Sequence, residues 1–385
     1  AASPYLIRQW ASTGDLPVLK RLLDDGSTAR VINPTGFLSS MSLWPTFFTG
    51  FSPGRHGFGA YRQVVPNSYT TRPLGPDDIR AQCLWKIVSD AGKRVAVIDI
   101  PSAPLAQDLN GIQINEWFTH DVFSGINTYP PDLGEELINA HGLDPVGHCD
   151  CGGRGPTNYK EFVAGLRQRI ETRTVFAVDL LQQQDWDLFM VGLSESHCVG
   201  HQCWHLHDPG HPRFDSESSD GLGDPVKAIY QALDHAIGSL IETAPDAQLF
   251  LYSSQGMGAC YDANAGLDHI LRKFEGGDRA KPGVLGRLVP YLRRRIPAQF
   301  HGALEAPALL VKNLSSRSDW AKRKFFAVPS SYGGCGCIRF NVVGREPNGV
   351  IAPGEALERE IDTLTKKLYG LREDASGAAV VRQVL

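Results

Sequence analysis

Five of the twelve histidines fall within fifteen residues, a density that an ordinary surface loop rarely shows. They stand at positions 197, 201, 205, 207 and 211. Imidazole nitrogens suit Zn²⁺ and similar metals. His197 and His201 are four residues apart and would share one face if this stretch is helical. The pattern predicts a metal site at His197 and His201, or a polar loop whose histidines bond to the backbone and to each other. His205 is expected to shape the loop or to bind substrate.

Two serines precede a short apolar stretch in the first fifty residues. Leu43–Thr49 is apolar and aromatic, carries Pro45 in its first turn and stops at Gly50, which together predict a short helix. Ser40 and Ser42 stand where hydroxyl groups cap the free N–H groups of a helix. A hydroxyl there lies at the positive end of the helix dipole, which favours an alkoxide or a phosphoryl oxygen. From this pattern alone, the two serines are either caps or a cap and a nucleophile.

The segment 39–57 resembles the region around the nucleophile in the alkaline-phosphatase superfamily, in particular its type I phosphodiesterase and nucleotide-pyrophosphatase-like branch. The spacing that carries the resemblance is Thr-Gly, Pro and His-Gly, at Thr49, Gly50, Pro53, His56 and Gly57. In that branch the nucleophilic Thr or Ser lies nine residues before the Thr of Thr-Gly. The resemblance therefore implies that Ser40 is the nucleophile of an enzyme that acts on phosphate or related esters.

The same resemblance locates the metal ligands, and here the sequence departs from the family. The family's Asp and His, with three residues between them, fall on His197 and His201. In its later Ser-Asp-His-Gly motif, Ser254 and Gln255 replace the Asp and the His. One further Asp is expected directly before Ala1. The resemblance thus implies a divalent metal, expected to be Zn²⁺, at one site rather than two, or at none.

The replaced positions keep polar side chains that suit contact with a substrate. Ser254 and Gln255 are therefore expected to bind the substrate, and Gln255 to donate a hydrogen bond to an oxyanion. Whether Gln255 is natural divergence or a deliberate substitution is left open by the sequence.

Uninterrupted apolar runs alternate with helical patterns along the chain. The runs are Val95–Ile100, Leu188–Gly192 and Gln248–Tyr252, as expected of strands buried on both faces of a parallel sheet. Helices are predicted over Pro17–Asp25, Pro76–Asp90, Tyr159–Gln183 and Pro225–Thr243. This order predicts an α/β fold: a doubly wound, mostly parallel sheet with helices on both faces, alkaline-phosphatase-like, with loop and helical insertions. In such sheets ligands bind beyond the C-terminal ends of the strands, here residues 101–104, 194–211 and 253–262.

Composition limits the partners. The 385 residues suit one catalytic domain over 1–385 with insertions. A net charge of −4 gives no general attraction to nucleic acid or to membrane surfaces. No apolar run approaches the length of a membrane span, about 18 residues or more. The eight cysteines are too few for a disulfide scaffold, so we expect a cytoplasmic protein with a small anionic substrate and no nucleic-acid or membrane partner. The oligomeric state is not predicted.

The last third of the chain contains two further features. Residues 336–349, with a helix that follows through about Tyr369, also resemble the end of the phosphohydrolase branch. Arg345 is a candidate for binding a substrate anion, or it pairs with Glu346 or a backbone carbonyl to fix the turn. Residues 272–324 carry thirteen Lys or Arg against four Asp or Glu, which predicts a basic helical insertion that is either a lid or a solvated segment.

Three functions follow from these residues. The first is a hydrolase or transferase acting on a phosphate ester or phosphodiester, in which Ser40 attacks beside a metal held by His197 and His201. The second is a small-molecule tailoring enzyme with a divergent, metal-poor site. The third is a non-catalytic protein that binds a ligand in the inherited pocket.

Overall fold

Helices and short strands alternate along the chain in the computed structural model, which describes residues 1–32, 42–119, 125–147, 158–214, 221–259, 264–277, 319–328 and 336–385. The α-helices within these ranges are α1 (Pro4–Ser12), α2 (Pro17–Asp25), α3 (Leu43–Thr49), α4 (Pro53–His56), α5 (Leu84–Asp90), α6 (Leu133–His141), α7 (Tyr159–Gln183), α8 (Glu195–His207), α9 (Pro225–Thr243), α10 (Asn264–Phe274) and α11 (Glu355–Tyr369). The strands are β1 (Arg62–Val64), β2 (Thr71–Pro73), β3 (Val95–Ile98), β4 (Gly111–Asn115), β5 (Asn127–Tyr129), β6 (Leu188–Val191), β7 (Phe325–Val328) and β8 (Cys337–Phe340). No helix in these ranges is both long and apolar enough to cross a membrane.

The chain divides into two compact units. The first contains Ala1–Asn33, Ser40–Phe58 and Gly75–Ala259, and the second contains Pro34–Ser39, Gly59–Leu74 and Cys260–Leu385. Both units are therefore built from separated stretches of sequence. The single catalytic domain over 1–385 stays a prediction.

A four-stranded mixed sheet lies at the centre of the first unit. Its order is β5-β4-β3-β6; β3 pairs in parallel with β4 and with β6, while β5 is antiparallel to β4. In register, Ile98 lies opposite Ile114 on one side and Val191 on the other. All four residues of β3 are fully buried, which explains its uninterrupted apolar sequence.

Helices cover both faces of this sheet. Because side chains alternate along a strand, Val95 and Val97 of β3 pack with Phe48 of α3 and Trp85 of α5. Ile98 belongs to the opposite cluster, with residues of β4, α6 and α7. The α/β class predicted from the sequence is therefore confirmed, with one antiparallel strand in a mostly parallel sheet.

A third cluster joins helices α7, α8 and α9. It buries Leu166 and Ile170 of α7, Val199 of α8 and Ile229 and Tyr230 of α9. The two long helices have the bounds predicted from sequence, and side chains cap both at the N-terminal end: Asn158 for α7 and Asp224 for α9. This packing fixes α8, which carries the histidines, against the rest of the unit.

Two sequence predictions are wrong. Gln248–Tyr252 is not a strand; it is irregular, and Phe250 is 86% exposed. Tyr252 instead stacks on Phe47 of α3, with ring centroids 4.2 Å apart, so aromatic packing replaces strand pairing. An apolar run of five residues does not by itself distinguish these outcomes.

The second wrong prediction is a continuous helix over Pro76–Asp90. The structure has a short 3-10 turn at Pro76–Asp78 and then α5. Ile79 is extended, and the Arg80 N–H donates to the carbonyl of His56 (3.0 Å). A tertiary hydrogen bond thus interrupts the local helical preference.

The described residues of the second unit form two antiparallel strand pairs and the helices α10 and α11. Strand β1 pairs with β2, and β7 pairs with β8. Leu271 of α10 and Phe325 of β7 pack with Leu364 and Leu368 of α11. Most of the predicted basic insertion, residues 278–318, lies outside the described residues. Of its described ends, Arg272 and Arg323 are paired with carboxylates; their partners are Asp268, Asp319 and Glu275.

Candidate functional site

Helix α8 carries the two histidines that the sequence singled out. It begins just after β6 ends, so the predicted loop is a helix. The rings of His197 and His201 lie one turn apart, with centroids 4.4 Å from each other and planes at 65°. The shared face predicted from their spacing is therefore present at the carboxyl end of a parallel strand, where α/β sheets bind ligands.

The start of the chain joins α8 to the segment that holds Ser254 and Gln255. The hydroxyl of Ser196 donates to the carbonyl of Ala1 (2.8 Å), and the Ala2 N–H donates to the carbonyl of Gln255 (3.2 Å). Two consecutive residues thus connect the first turn of α8 to Gln255. The structure therefore brings the histidine helix and the segment with the replaced family positions into one region.

A glycine permits the close approach of that segment to α8. A Cβ built on Gly200, between the two histidines, would lie 2.5 Å from Cγ of Met257. A larger residue at position 200 would have to displace the methionine. Gly200 therefore sets how closely the segment 253–257 approaches the histidine face.

Gln255 has a polar atom available for a ligand. Its Oε1 is buried and finds no hydrogen-bond partner among the residues that the structure describes. Ser254 beside it is 3% exposed. A buried amide oxygen without a partner is costly, so a bound ligand that supplies a donor would be favoured.

The nucleophile predicted from the resemblance, Ser40, lies outside the described residues. The elements around it form as expected: Ser42 is buried at the N-terminal end of α3, and Gly50 ends that helix with φ +71°. The side chain of Ser42 makes no capping hydrogen bond to α3. Position 40 is therefore followed two residues later by a helix N-terminus.

His56, the histidine of the Thr-Gly, Pro, His-Gly spacing, is buried and makes hydrogen bonds that hold the local structure together. It is fully buried; its Nδ1 accepts from the Phe58 N–H (3.1 Å), and its Nε2 lies 3.1 Å from the hydroxyl of Thr46 on α3. Burial lowers the pKa of His56, so the ring is held neutral. With Nδ1 as acceptor, Nε2 carries the proton and donates to Thr46. The histidine thus ties α4 to α3.

A buried charge network lies behind α8, and the sequence analysis missed it. Arg173 of α7 binds Asp99, directly after β3, and Glu195, the first residue of α8; all three side chains are fully buried. Burial raises the pKa of both carboxyl groups, and the guanidinium of Arg173 acts in the opposite direction. A usable signal was present: Arg169 and Arg173 lie on the same side of the amphipathic α7 as Leu166 and Ile170.

The remaining predicted residues have other contacts. His205 lies 3.3 Å from the hydroxyl of Tyr159, through its Nε2. Arg345, in the second unit, donates from Nε to Glu346 (2.8 Å) and from Nη2 to the carbonyl of Phe340. Arg345 therefore fixes its turn, as one of the two sequence alternatives proposed. Its role in binding a substrate stays a prediction.

The donor set fits a divalent metal only in part. Among the described residues, no three His, Cys, Asp or Glu are placed to hold a metal ion together. His197 and His201 supply two imidazoles, whereas catalytic zinc sites use three protein ligands. Ser254 and Gln255 add no ligand that a transition metal prefers. Any further ligand would come from outside the described residues.

Comparison with known proteins defines the class. The family model for type I phosphodiesterase / nucleotide pyrophosphatase matches residues 1–327. The chain therefore belongs to this family, and the resemblance seen in the sequence is confirmed. No curated protein matches the chain.

Two solved structures are similar to this chain. Both are phosphonoacetate hydrolase from Sinorhizobium meliloti 1021, in complex with phosphonoformate and with phosphonoacetate. The phosphonoformate complex is 15% identical to this chain with a TM-score of 0.41, and the match covers 63% of this chain and 51% of the hydrolase chain. The phosphonoacetate complex is 16% identical with a TM-score of 0.44, and the match covers 74% of this chain and 64% of the hydrolase chain. The chain thus spans between one half and two thirds of the length of these structures.

Proposed function

We propose that this protein hydrolyses, or transfers the phosphoryl group of, a small phosphate ester or phosphodiester. Membership of the type I phosphodiesterase / nucleotide pyrophosphatase family supports this class of reaction. The observation that carries the proposal is the pair His197 and His201 at the carboxyl end of β6, joined through Ala1 and Ala2 to Gln255.

Each residue has a separate role in this proposal. The Ser40 hydroxyl, two residues before the N-terminus of α3 in the sequence, would lose its proton and bond to phosphorus while the ester oxygen leaves as the alcohol. Water, or an acceptor alcohol, would then take the phosphoryl group from the serine, and the helix N-terminus would favour the negative charge that develops. His197 and His201 would hold a divalent ion, expected to be Zn²⁺, which supplies Lewis acidity when bound. Gln255 orients a phosphoryl oxygen through its amide, and Ser254 and His205 contact the rest of the substrate.

A panel of p-nitrophenyl esters tests the reaction. Bis-p-nitrophenyl phosphate and p-nitrophenyl phosphate are incubated with the protein after dialysis against a chelator, with and without Zn²⁺ or Mn²⁺. We expect turnover that needs the added metal and that falls at least about 10²-fold in Ser40→Ala. Ser42→Ala is the matched control, because it removes a neighbouring hydroxyl that is not assigned to attack. Equal rates for Ser40→Ala and wild type would reject the serine nucleophile.

The metal role is measured without turnover. Zn²⁺ titration by calorimetry is expected to show one site, and His201→Asn is expected to weaken this site by at least about tenfold. His235→Asn, at an exposed histidine of α9, is the control. Unchanged Zn²⁺ affinity in His201→Asn would remove the histidines from this role.

Ser254 and Gln255 favour a second candidate with less metal chemistry. These two positions hold an Asp and a His in the family, and Oε1 of Gln255 is buried without a partner in the described part of the chain. A metal-poor tailoring enzyme or a non-catalytic binding protein would use the same region to bind a phosphate ester that has a hydroxyl or amine group to donate a hydrogen bond to this oxygen. Turnover that survives chelation supports the first, and phosphate-ester binding without turnover supports the second. A cytoplasmic setting stays a prediction from the cysteine content.

A further inference from the structure

Two arginines are buried on the side of α7 that faces α8. Arg169 and Arg173 are four residues apart and have no exposed surface. Arg169 donates to Asp144 and to the carbonyl of Gly147, and its Nη1 lies 3.8 Å from Sγ of Cys198 on α8. A fully buried guanidinium is stable only where carboxylates and carbonyls surround it. Helix α7 therefore presents two cations to its neighbour.

Arg173 connects three separate parts of the sheet edge. Its Nε donates to Asp99 (3.1 Å), at the end of β3. Its Nη2 donates to the carbonyl of Phe118 (2.6 Å), beyond β4. Its Nη1 lies 3.0 and 3.2 Å from the two oxygens of Glu195, the first residue of α8. One side chain thus ties the carboxyl ends of two parallel strands to the first turn of the histidine helix.

The rest of this junction is also fully bonded. Asp99 accepts from the N–H groups of Trp117 and Phe118, each at 2.9 Å. The hydroxyl of Ser194, directly before α8, donates to the carbonyl of Phe118 (3.2 Å). Protein groups alone therefore supply the hydrogen bonds that hold this junction together.

Helix geometry relates this anchor to the histidines. At about 100° per residue, His197 and His201 lie roughly 200° and 240° around α8 from Glu195. Cys198, beside Arg169, lies roughly 60° from Glu195 on the same side. The anchored face of α8, centred between Glu195 and Cys198, is therefore distinct from the histidine face and lies roughly 110° from it around the helix axis. Any rotation of α8 about its axis would move both imidazoles together.

We propose that Arg173 is a positioning residue, which fixes the rotation of α8 through Glu195 and so sets the direction of His197 and His201. The consequence for catalysis rests on the proposed function, whereas the effect on the two imidazoles does not. Within the described part of the chain, the polar partners of Arg173 are Asp99, Glu195 and the carbonyl of Phe118, so in this proposal it acts through α8.

Histidine NMR and kinetics on the same variants test this role. Arg173→Met removes the charge but keeps an apolar stem, and Arg173→Lys keeps the charge without the fork that binds two partners. Leu109→Ala is the control, because Leu109 is buried on the opposite face of the sheet, in a cluster that contains no residue of α7 or α8. Thermal unfolding is recorded for all variants, so that those with equal loss of stability are compared.

We expect Arg173→Met to shift the ring Cε1–H signals of both His197 and His201 by at least about 0.2 p.p.m. Leu109→Ala should leave these signals unchanged, and Arg173→Lys should be intermediate. On the ester that the panel identifies, kcat should fall at least tenfold in Arg173→Met with KM within twofold, and less than twofold in Leu109→Ala.

Wild-type histidine signals in a folded Arg173→Met protein would overturn the proposal. If Arg173→Met does not fold, Glu195→Gln answers the same question, since it keeps the shape and removes the charge. Unmoved histidine signals in folded Glu195→Gln would then reject the proposal. If wild type turns over no ester, the proposed function fails, while the NMR comparison still decides the role of Arg173.

Discussion

Replacing Asp99 by Asn measures how strongly the buried network stabilises the first unit. Asp99 has φ +54°, a left-handed conformation that Asn also adopts readily, so the change leaves the backbone preference almost unaltered. An amide keeps one acceptor for Trp117 N–H. Its NH₂ group would face two buried donors, the Phe118 N–H and Nε of Arg173, which lie 2.9 and 3.1 Å from the carboxylate now.

Losing two buried acceptor contacts should cost about 3 kcal/mol. Each unsatisfied buried donor costs about 1–3 kcal/mol, and breaking a buried ion pair costs about 3–5 kcal/mol. Arg173 retains Glu195, which argues for the lower end of the second range. For a unit of this size, about 3 kcal/mol corresponds to a fall in Tm of roughly 6–12 °C.

Urea unfolding, followed by near-UV circular dichroism, measures the change. Trp117 stacks on Phe118 with ring centroids 4.3 Å apart, so the aromatic signal reports on the network. A double-mutant cycle with Glu195→Gln separates the shared contribution through Arg173, and we expect coupling above about 0.5 kcal/mol. A loss below about 1 kcal/mol for Asp99→Asn, with unchanged m-value, would refute the assignment of Asp99 as a charged acceptor.

Three further predictions concern pH and packing. Burial raises the pKa of Tyr230 from its ordinary 10 to about 12, so the folded state retains the phenolic proton longer. Stability should therefore fall by about 2–3 kcal/mol between pH 10 and 12, and an equal fall in Tyr230→Phe would contradict this. Burial lowers the pKa of His56, so the unfolded chain takes up the proton first. The free energy of unfolding should therefore fall as the pH drops below about 6.5, because protonation of Nδ1 breaks the hydrogen bond from the Phe58 N–H. In urea titrations, His56→Gln should lose less stability than wild type over the same pH range. Gly200→Ala should lower the free energy of unfolding by about 1–3 kcal/mol through its clash with Met257, and Met257→Ala in the same chain should recover part of it; full stability in Gly200→Ala alone would disprove the clash.

Local signals were sufficient for the long helices and two of the strands. The bounds of α2, α7 and α9 were predictable because a proline at the start marks α2 and α9, and Asn158 caps α7. The runs at 95–98 and 188–191 form strands because both lie in the parallel sheet. Gln248–Tyr252 has the same apolar character, yet Tyr252 packs on Phe47 instead. That choice depends on a neighbour about two hundred positions away, which a local pattern does not contain.

The candidate site was predictable only where spacing carries the information. The four-residue interval between His197 and His201 predicted their shared face, and α8 provides it. In the buried network, Arg173 is 74 residues from Asp99 and 22 residues from Glu195, so no local sequence motif predicts these contacts. Ser40 was identified by family spacing alone and lies outside the described residues, so its role remains a prediction.

The second unit is built from stretches of sequence that lie far apart, and this has a consequence for synthesis on the ribosome. Tyr69, between β1 and β2, donates its hydroxyl proton to Asn341 (2.7 Å), 272 positions later in the chain, and is only 3% exposed. At about 5–20 residues per second, translation needs roughly 15–55 s to cover that distance. An isolated two-stranded hairpin is marginally stable in water. The nascent β1–β2 segment therefore lacks the residues that bury Tyr69 until the C-terminal strands are made, and during this interval the tyrosine is open to chaperones and proteases.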